Sequence, residues 1–108
     1  MNNLTPTEFY LGQNYPNPFK EKTTIKYCVA YRTRVRITVF NSGGELIEVL
    51  LDEEKKAGTY EIELSAVKYQ YSLVPEGEGK EMNLHAGIYY YRLEAGNYSN
   101  LKKMMLKN

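Results

Sequence analysis

The sequence predicts an all-β domain, an antiparallel sandwich of about seven short strands. No window of helix length repeats apolar residues at helical spacing. Apolar and polar residues alternate instead, over short runs that are separated by turn residues. Tyrosine, which favours strands, occurs 11 times in the 108 residues.

Composition limits the classes of function that this chain can serve. The 14 basic and 13 acidic residues give a net charge of +1, which argues against a nucleic-acid partner. The one cysteine, Cys28, excludes an internal disulfide framework. No apolar run is long enough for a transmembrane segment, and Met1 to Leu4 do not resemble a secretory leader.

The chain opens with a polar stretch, residues 1–8, which we interpret as the end of a linker, and residues 9–108 then form one domain. Residues 9–11 are a candidate short first strand. Residues 12–20 contain Pro16 and Pro18, and they predict a stiff loop with few hydrogen bonds. Tyr15 and Phe19 in this loop are expected to cap one end of the core.

Four strands are predicted in the first half of the domain, at residues 23–30, 34–41, 45–51 and 59–64. Gly43 and Gly44 supply a tight hairpin between the second and third of these, and residues 52–58 are expected to form a charged turn. The residues expected in the core are Ile25, Tyr27, Val29, Val35, Ile37, Val39, Tyr60, Ile62 and Leu64.

The second half begins with an atypical insertion at about residues 66–83. Alternation over residues 67–73 suggests an extra edge strand, and the Gly-rich residues 75–83 suggest a mobile loop. Residues 88–95 are a strand that points Tyr89 and Tyr91 into the core. Gly96 opens a two-residue turn, and residues 98–107 are the last strand, with a bulge expected at 104–106.

Residues that could carry chemistry are few, and we predict no catalytic residue, no metal site and no cofactor. His85 is the only histidine, and neither it nor Cys28 has a nucleophile motif around it. Glu61 and Glu63 lie on one face of the same predicted strand, and that face is expected to be exposed to solvent. A glycosidase site is therefore not expected. Two weak alternatives remain open: a calcium loop at Glu76, Glu78 and Glu81, and a sugar-stacking platform at Tyr69, Tyr71 or Tyr90.

The last segment is basic and apolar, and it runs through Lys102, Lys103, Met104, Met105, Leu106 and Lys107. As structure, it is an edge strand whose lysines discourage aggregation. As function, a terminal edge strand is a handle with which another protein can pair.

Several motifs, in this order, resemble the type A C-terminal sorting domain of type IX (Por) secretion cargo from Bacteroidetes. The resemblance runs from about residue 9 to residue 107, with a YPNPF opening formed by Tyr15, Pro16, Asn17, Pro18 and Phe19. It continues through Gly43-Gly44 and the run Gly87 to Leu93, which includes Tyr89 and Tyr91. It closes with Gly96 and the KKMMLK ending.

The resemblance implies an immunoglobulin-like antiparallel β-sandwich at the end of a larger secreted protein. It implies a non-catalytic address that the outer-membrane translocon reads, with Lys102 to Lys107 as the recognition element and the other quoted residues as fold-defining. The implied partners are that translocon, a sortase-like protease and a covalently linked N-terminal cargo domain. The implied route passes through the periplasm to the cell surface or the medium.

Two departures from the family pattern lie in the middle of the chain. Leu64-Ser65 stands where many members carry Trp-Asp or Trp-Asn, and the insertion at residues 66–83 is longer than usual. The alternative hypotheses are a passive immunoglobulin-like spacer or adhesion module, and a carbohydrate-binding module, of an extracellular enzyme.

Overall fold

The computed structural model describes residues 6–71 and 79–108, and of residues 67–71 and 79–83 it describes the backbone only. Nine strands lie in these residues: β1 (Tyr10–Leu11), β2 (Lys22–Val29), β3 (Thr33–Asn41), β4 (Leu46–Lys55), β5 (Gly58–Ser65), β6 (Val67–Tyr71), β7 (Gly79–Asn83), β8 (Gly87–Ala95) and β9 (Tyr98–Leu106).

Seven of the strands form the two sheets of a sandwich. One sheet has the order β1-β2-β5, the other has the order β4-β3-β8-β9, and every pair of neighbours is antiparallel. This is an immunoglobulin-like arrangement, and it confirms the predicted fold class. In the described residues no helix is long and apolar enough to cross a membrane.

The core lies between the two sheets and follows the alternation of the strands. Val35, Ile37 and Val39 on β3 are fully buried, as are Ile25 and Val29 on the facing β2. Successive side chains of a strand point to opposite faces, so the apolar set of each strand reaches the same interior. Other predicted core residues are also buried or packed against the core: Tyr27, Tyr60, Ile62, Leu64, Tyr89 and Tyr91.

The hairpin between β3 and β4 forms where the glycines predicted it. Gly44 has a φ of +88°, a region that glycine enters without steric cost. The Asn41 side-chain oxygen accepts hydrogen bonds from the backbone N–H groups of Gly43 and Glu45, at 3.0 and 2.9 Å. An Asn side chain that satisfies turn donors in this way fixes the position of the turn.

The charged turn predicted at residues 52–58 is wrong for its first half. β4 continues to Lys55, because its carboxylates lie opposite the arginines of β3. Arg34 Nε lies 2.8 Å from Asp52 Oδ1, and Arg36 Nε lies 3.8 Å from the other oxygen of the same carboxylate. Cross-strand pairs of opposite charge favour pairing, so the acidic residues extend the strand.

The insertion differs from its prediction. Residues 79–83, expected to be a loop, form β7, which pairs with β6 in a separate two-stranded sheet. β6 therefore lies in a hairpin of its own and is not an edge strand of the sandwich. The pairing satisfies the backbone groups that face the partner strand, and the Gly-rich composition of this stretch did not indicate it. Residues 72–78, which include Glu76 and Glu78, lie outside the described residues.

The bulge expected at residues 104–106 is also wrong. β8 and β9 pair without interruption from Gly87–Leu106 to Ala95–Tyr98. Met104 and Leu106 are buried, and Met105 between them is 43% exposed, so three consecutive apolar residues keep a simple alternation. The register shifts lie instead between β3 and β4, at Ile37/Thr38 and at Val39/Phe40.

Candidate functional site

The predicted recognition residues divide between the two faces of β9. Met104 and Leu106 pack into the core, with 1% and 4% of their surfaces exposed. Lys103 and Met105 face outward from the sandwich, and Lys107 beyond the strand is also exposed. Lys102 is half-buried on the inward-pointing side. The terminal strand thus anchors itself with one set of side chains and presents the other.

A bracing segment, residues 12–19, covers the outer edge of the last part of β9. The Phe19 N–H donates to the Met105 carbonyl at 3.0 Å, and the Lys107 N–H donates to the Phe19 carbonyl at 2.9 Å. The Asn17 side-chain oxygen accepts from the Met105 N–H at 2.9 Å, and the Gln13 amide donates to the Lys103 carbonyl at 2.8 Å. The backbone edge of β9, which was expected to be open to pairing with another protein, is therefore hydrogen-bonded to the bracing segment from residue 103 onward.

The same segment bonds to β2 in the opposite sheet. The Gly12 N–H donates to the Lys26 carbonyl at 2.8 Å, and Tyr15 and Thr24 exchange two backbone hydrogen bonds of 2.9 Å. The bracing segment thus runs along both β2 and β9 and closes one open side of the sandwich. Closure of this kind protects edge strands from pairing with other chains.

Buried polar groups hold the bracing segment to the core. The Tyr91 hydroxyl accepts from the Asn14 N–H at 2.8 Å and donates to the Gly12 carbonyl at 2.7 Å. The Asn14 side chain, 2% exposed, donates to Thr23 Oγ1 at 3.0 Å. Burial raises the pKa of Tyr91 to about 12, since the ionised phenolate would be desolvated among these groups.

These contacts correct two expectations about the proline-containing loop. It is rich in hydrogen bonds, because the side chains of Gln13 and Asn14 donate hydrogen bonds and that of Asn17 accepts one. Tyr15 does not cap the core, since 80% of its surface is exposed and it joins β2 through its backbone alone. Phe19 is 1% exposed, which confirms its place in the core.

Sequence reasoning missed the side chains that attach the bracing segment: Gln13, Asn14, Asn17 and the hydroxyl of Tyr91. One signal was available. Three amides and two prolines crowd into residues 13–18, and side-chain amides often satisfy backbone groups where prolines prevent regular pairing.

Four turn glycines are predicted to define the fold. Three of them adopt backbone conformations that favour glycine. Gly44, Gly87 and Gly96 have φ values of +88°, +152° and +58°. Gly96 has a second constraint, since a Cβ atom there would overlap the hydroxyl of Tyr31. Gly43 has no positive φ.

Of the residues weighed for chemistry, His85, Cys28 and Glu63 are described by the structure, and each has a separate partner. His85 is exposed, and its carbonyl accepts a 2.6 Å hydrogen bond from the Tyr89 hydroxyl. Cys28 lies 3.6 Å from Thr59 Oγ1, and the exposed Glu63 pairs with Lys22 at 3.8 Å. In the part of the chain that the structure describes, no three His, Cys, Asp or Glu residues are placed to hold a metal ion.

The fold and the exposed half of β9 define an immunoglobulin-like domain that presents its terminal strand. Residues 13–72, more than half of the chain, match a family model described as "Secretion system C-terminal sorting domain". The chain belongs to this family, and it is a type IX secretion C-terminal sorting signal. β8 and β9 lie beyond the matched residues.

A solved structure resembles this fold. The crystal structure of dimeric latent PorU from Porphyromonas gingivalis matches with a TM-score of 0.64 and 17% identity. The match covers 98% of this chain and 10% of that chain, so the present domain spans about a tenth of that PorU chain. At this identity, the likeness supports the fold alone. A comparison with curated proteins found no match.

Proposed function

We propose that this domain, residues 9–108, is an address that acts without catalysing a reaction. It directs an N-terminally linked cargo protein through the periplasm to the outer-membrane translocon. Membership of the sorting family implies export to the cell surface or secretion. The translocon, the cargo linkage, a sortase-like protease and possible surface attachment are parts of this proposal.

We propose further that the outward-facing residues of the β9 end are read by the translocon. The observation that carries this step is the exposure of Lys103, Met105 and Lys107 beside the buried Met104 and Leu106. Residues that hold the fold are unavailable to a partner, whereas two cations around an apolar side chain are available. We therefore assign recognition to Lys103, Met105 and Lys107. Met104 and Leu106 anchor the strand in the core.

The test is export of a reporter that carries an N-terminal leader and this chain at its C-terminus, in a type IX host. Deleting residues 102–108 would also remove Met104 and Leu106 from the core, so substitutions are preferable. We expect the triple variant Lys103→Ser, Met105→Thr, Lys107→Ser to leave the reporter in the periplasm. The measurement is the reporter fraction outside the cell.

A matched control replaces two cations and one apolar residue away from the four-stranded sheet: Lys26→Ser, Tyr10→Thr and Lys56→Ser. All three positions are exposed in the structure. We expect this control to be exported normally and to unfold at a similar temperature. Normal export of the β9 variant, with both proteins folded, would show that these side chains are not the recognised element.

A further inference from the structure

The outer face of the four-stranded sheet is unusually apolar. Leu46 and Val49 on β4 are 50% and 43% exposed, and Leu101 and Met105 on β9 are 49% and 43% exposed. Between these strands Phe40 on β3 pairs with both Leu46 and Tyr90. We call the following residues the outer patch: Phe40, Leu46, Val49, Tyr90, Arg92, Leu101, Lys103 and Met105. It reaches from one edge of the sheet to the other.

Two cations of the outer patch, Arg92 and Lys103, have no carboxylate partner among the side chains that the structure describes. The Arg92 guanidinium carbon lies 4.8 Å from the centroid of the Phe40 ring. Among residues 6–66 and 84–108, whose side chains the structure describes, neither Arg92 nor Lys103 forms an ion pair. At the other end of the same face, by contrast, Arg36 lies 3.8 Å from both Asp52 and Glu94. The patch therefore combines apolar surface with positive charge that no described carboxylate neutralises.

The closed edge of β9 favours recognition through this face. The bracing segment already binds the backbone groups of Lys103, Met105 and Lys107, so an incoming strand cannot pair there without displacing it. The side chains of Leu101, Lys103 and Met105 remain exposed. Leu101 and Lys103 lie directly opposite Arg92 and Tyr90, so the exposed surface continues onto β8.

The same face has room for a side chain from a partner. A shallow cavity of about 130 Å³ lies among Phe40, Gly44, Tyr90, Arg92 and Leu101. This is close to the size of a protein cavity that holds one benzene ring, roughly 150 Å³. Arg92 at its wall would pair with a carboxylate beside that group. A second copy of this chain is a poor occupant, since a two-fold contact centred here would bring Arg92 near its own equivalent.

We propose that the outer patch is the surface through which the secretion machinery reads this domain. Its occupant is a protein segment that carries an apolar side chain next to a carboxylate. This inference rests on the proposed function and extends it, because it adds β4 and β8 to the recognised surface. Recognition then depends on the folded sheet and not on the terminal strand alone.

The test changes only patch residues outside β9, in the reporter described above. Leu46→Thr with Val49→Thr removes apolar surface at the far edge, and Arg92→Glu reverses the central charge. We expect each variant to lower the exported fraction at least about tenfold, since like charges and lost apolar contact both weaken docking. Arg92→Lys should retain most export because it keeps the cation.

The controls separate a docking defect from a folding defect. Lys26→Glu makes the same charge reversal on the exposed side of β2, in the other sheet, and it should be exported normally. Thermal unfolding of each purified domain reports folding. If Arg92→Glu is markedly less stable than the native domain, Arg92→Gln removes the charge with less disturbance, and the same loss is expected.

Each outcome decides between the two proposals. Loss of export in the β4, β8 and β9 variants supports the outer patch. If the β9 variant loses export while folded β4 and β8 variants are exported normally, the inference is overturned and the proposed role of β9 stands. If all folded variants are exported normally, both the inference and the proposed role of β9 are overturned.

Discussion

At the scale of single residues, the hydroxyl of Tyr91 connects the core to the bracing segment. The ring lies on β8, fully buried, and its oxygen contacts the backbone of Asn14 and Gly12. Replacing the oxygen would leave one buried N–H and one buried carbonyl without partners, which costs about 1–3 kcal/mol. We therefore regard this hydroxyl as a main support of the bracing segment.

Tyr91→Phe is expected to lower the free energy of unfolding by about 1–3 kcal/mol near neutral pH. The pKa of Tyr91 is about 12 in the fold against 10 for an ordinary tyrosine, so the hydroxyl stabilises the folded state fully below pH 10 and progressively less between pH 10 and pH 12. That advantage falls as pH rises, because the unfolded chain ionises first, by about 1 kcal/mol at pH 11. The native protein and Tyr91→Phe should therefore differ less in their free energies of unfolding at pH 11 than at pH 9. Urea unfolding measures this difference. A constant difference would contradict this account of the hydroxyl.

Alternation in the sequence predicted where the Tyr91 ring lies but not what its hydroxyl binds. The two partners lie 77 and 79 residues away along the chain, and no local pattern reports a contact at that distance. Thr38 illustrates a second limit. It lies on the outward face of its strand, yet it is 1% exposed, and its Oγ1 has no hydrogen-bond partner within the described residues. Its burial depends on Val49 and Arg92, which pair with it from the strands on either side.

At the scale of elements, the bracing segment changes what β9 can do. An antiparallel edge strand presents alternate N–H and C=O groups to solvent. On β9 the carbonyl of Lys103 and both backbone groups of Met105 are bonded, and the Leu101 N–H is bonded to the side chain of Asn100. The last part of the strand is accordingly a protected edge, which agrees with recognition through side chains.

Hydrogen exchange tests this protection directly. The outward-pointing amides of Met105 and Lys107 should exchange more slowly than that of Ser99, for which no backbone partner lies in the described residues. Asn17→Ala removes the acceptor of the Met105 amide and should speed its exchange about two- to tenfold, the effect of one hydrogen bond. The Leu101 amide provides the internal control, because its hydrogen bond to the side-chain oxygen of Asn100 is present in both proteins. Equal rates at Met105 in the two proteins would show that Asn17 does not protect this edge.

The sequence predicts a strand well where one face of that strand is buried and the other is exposed to solvent. β2, β3 and β8 have that pattern, and their inward residues were correctly predicted. β4 carries apolar residues on both faces and acidic residues at its end, so its length depended on pairing with the arginines of β3. β7 has a composition typical of loops, and its pairing with β6 was not visible locally.

At the scale of the whole molecule, an immunoglobulin-like sandwich gives a sorting signal a fixed surface. The terminal strand is held by the core on one side and by the bracing segment along its edge. Its exposed side chains therefore stand at defined positions relative to β4 and β8. The family resemblance predicted the class of protein, because the motifs that carry it are local, whereas the outer patch is assembled from strands that are distant in the sequence.

The most direct test of the central claim is whether this domain is sufficient for export. A reporter with an N-terminal leader is expressed in a type IX host with and without this chain at its C-terminus, and in the same host without its translocon. We predict that the reporter reaches the cell surface or the medium only when both the chain and the translocon are present. A reporter that stays in the periplasm despite a folded domain, or that is exported equally without the translocon, would contradict the claim.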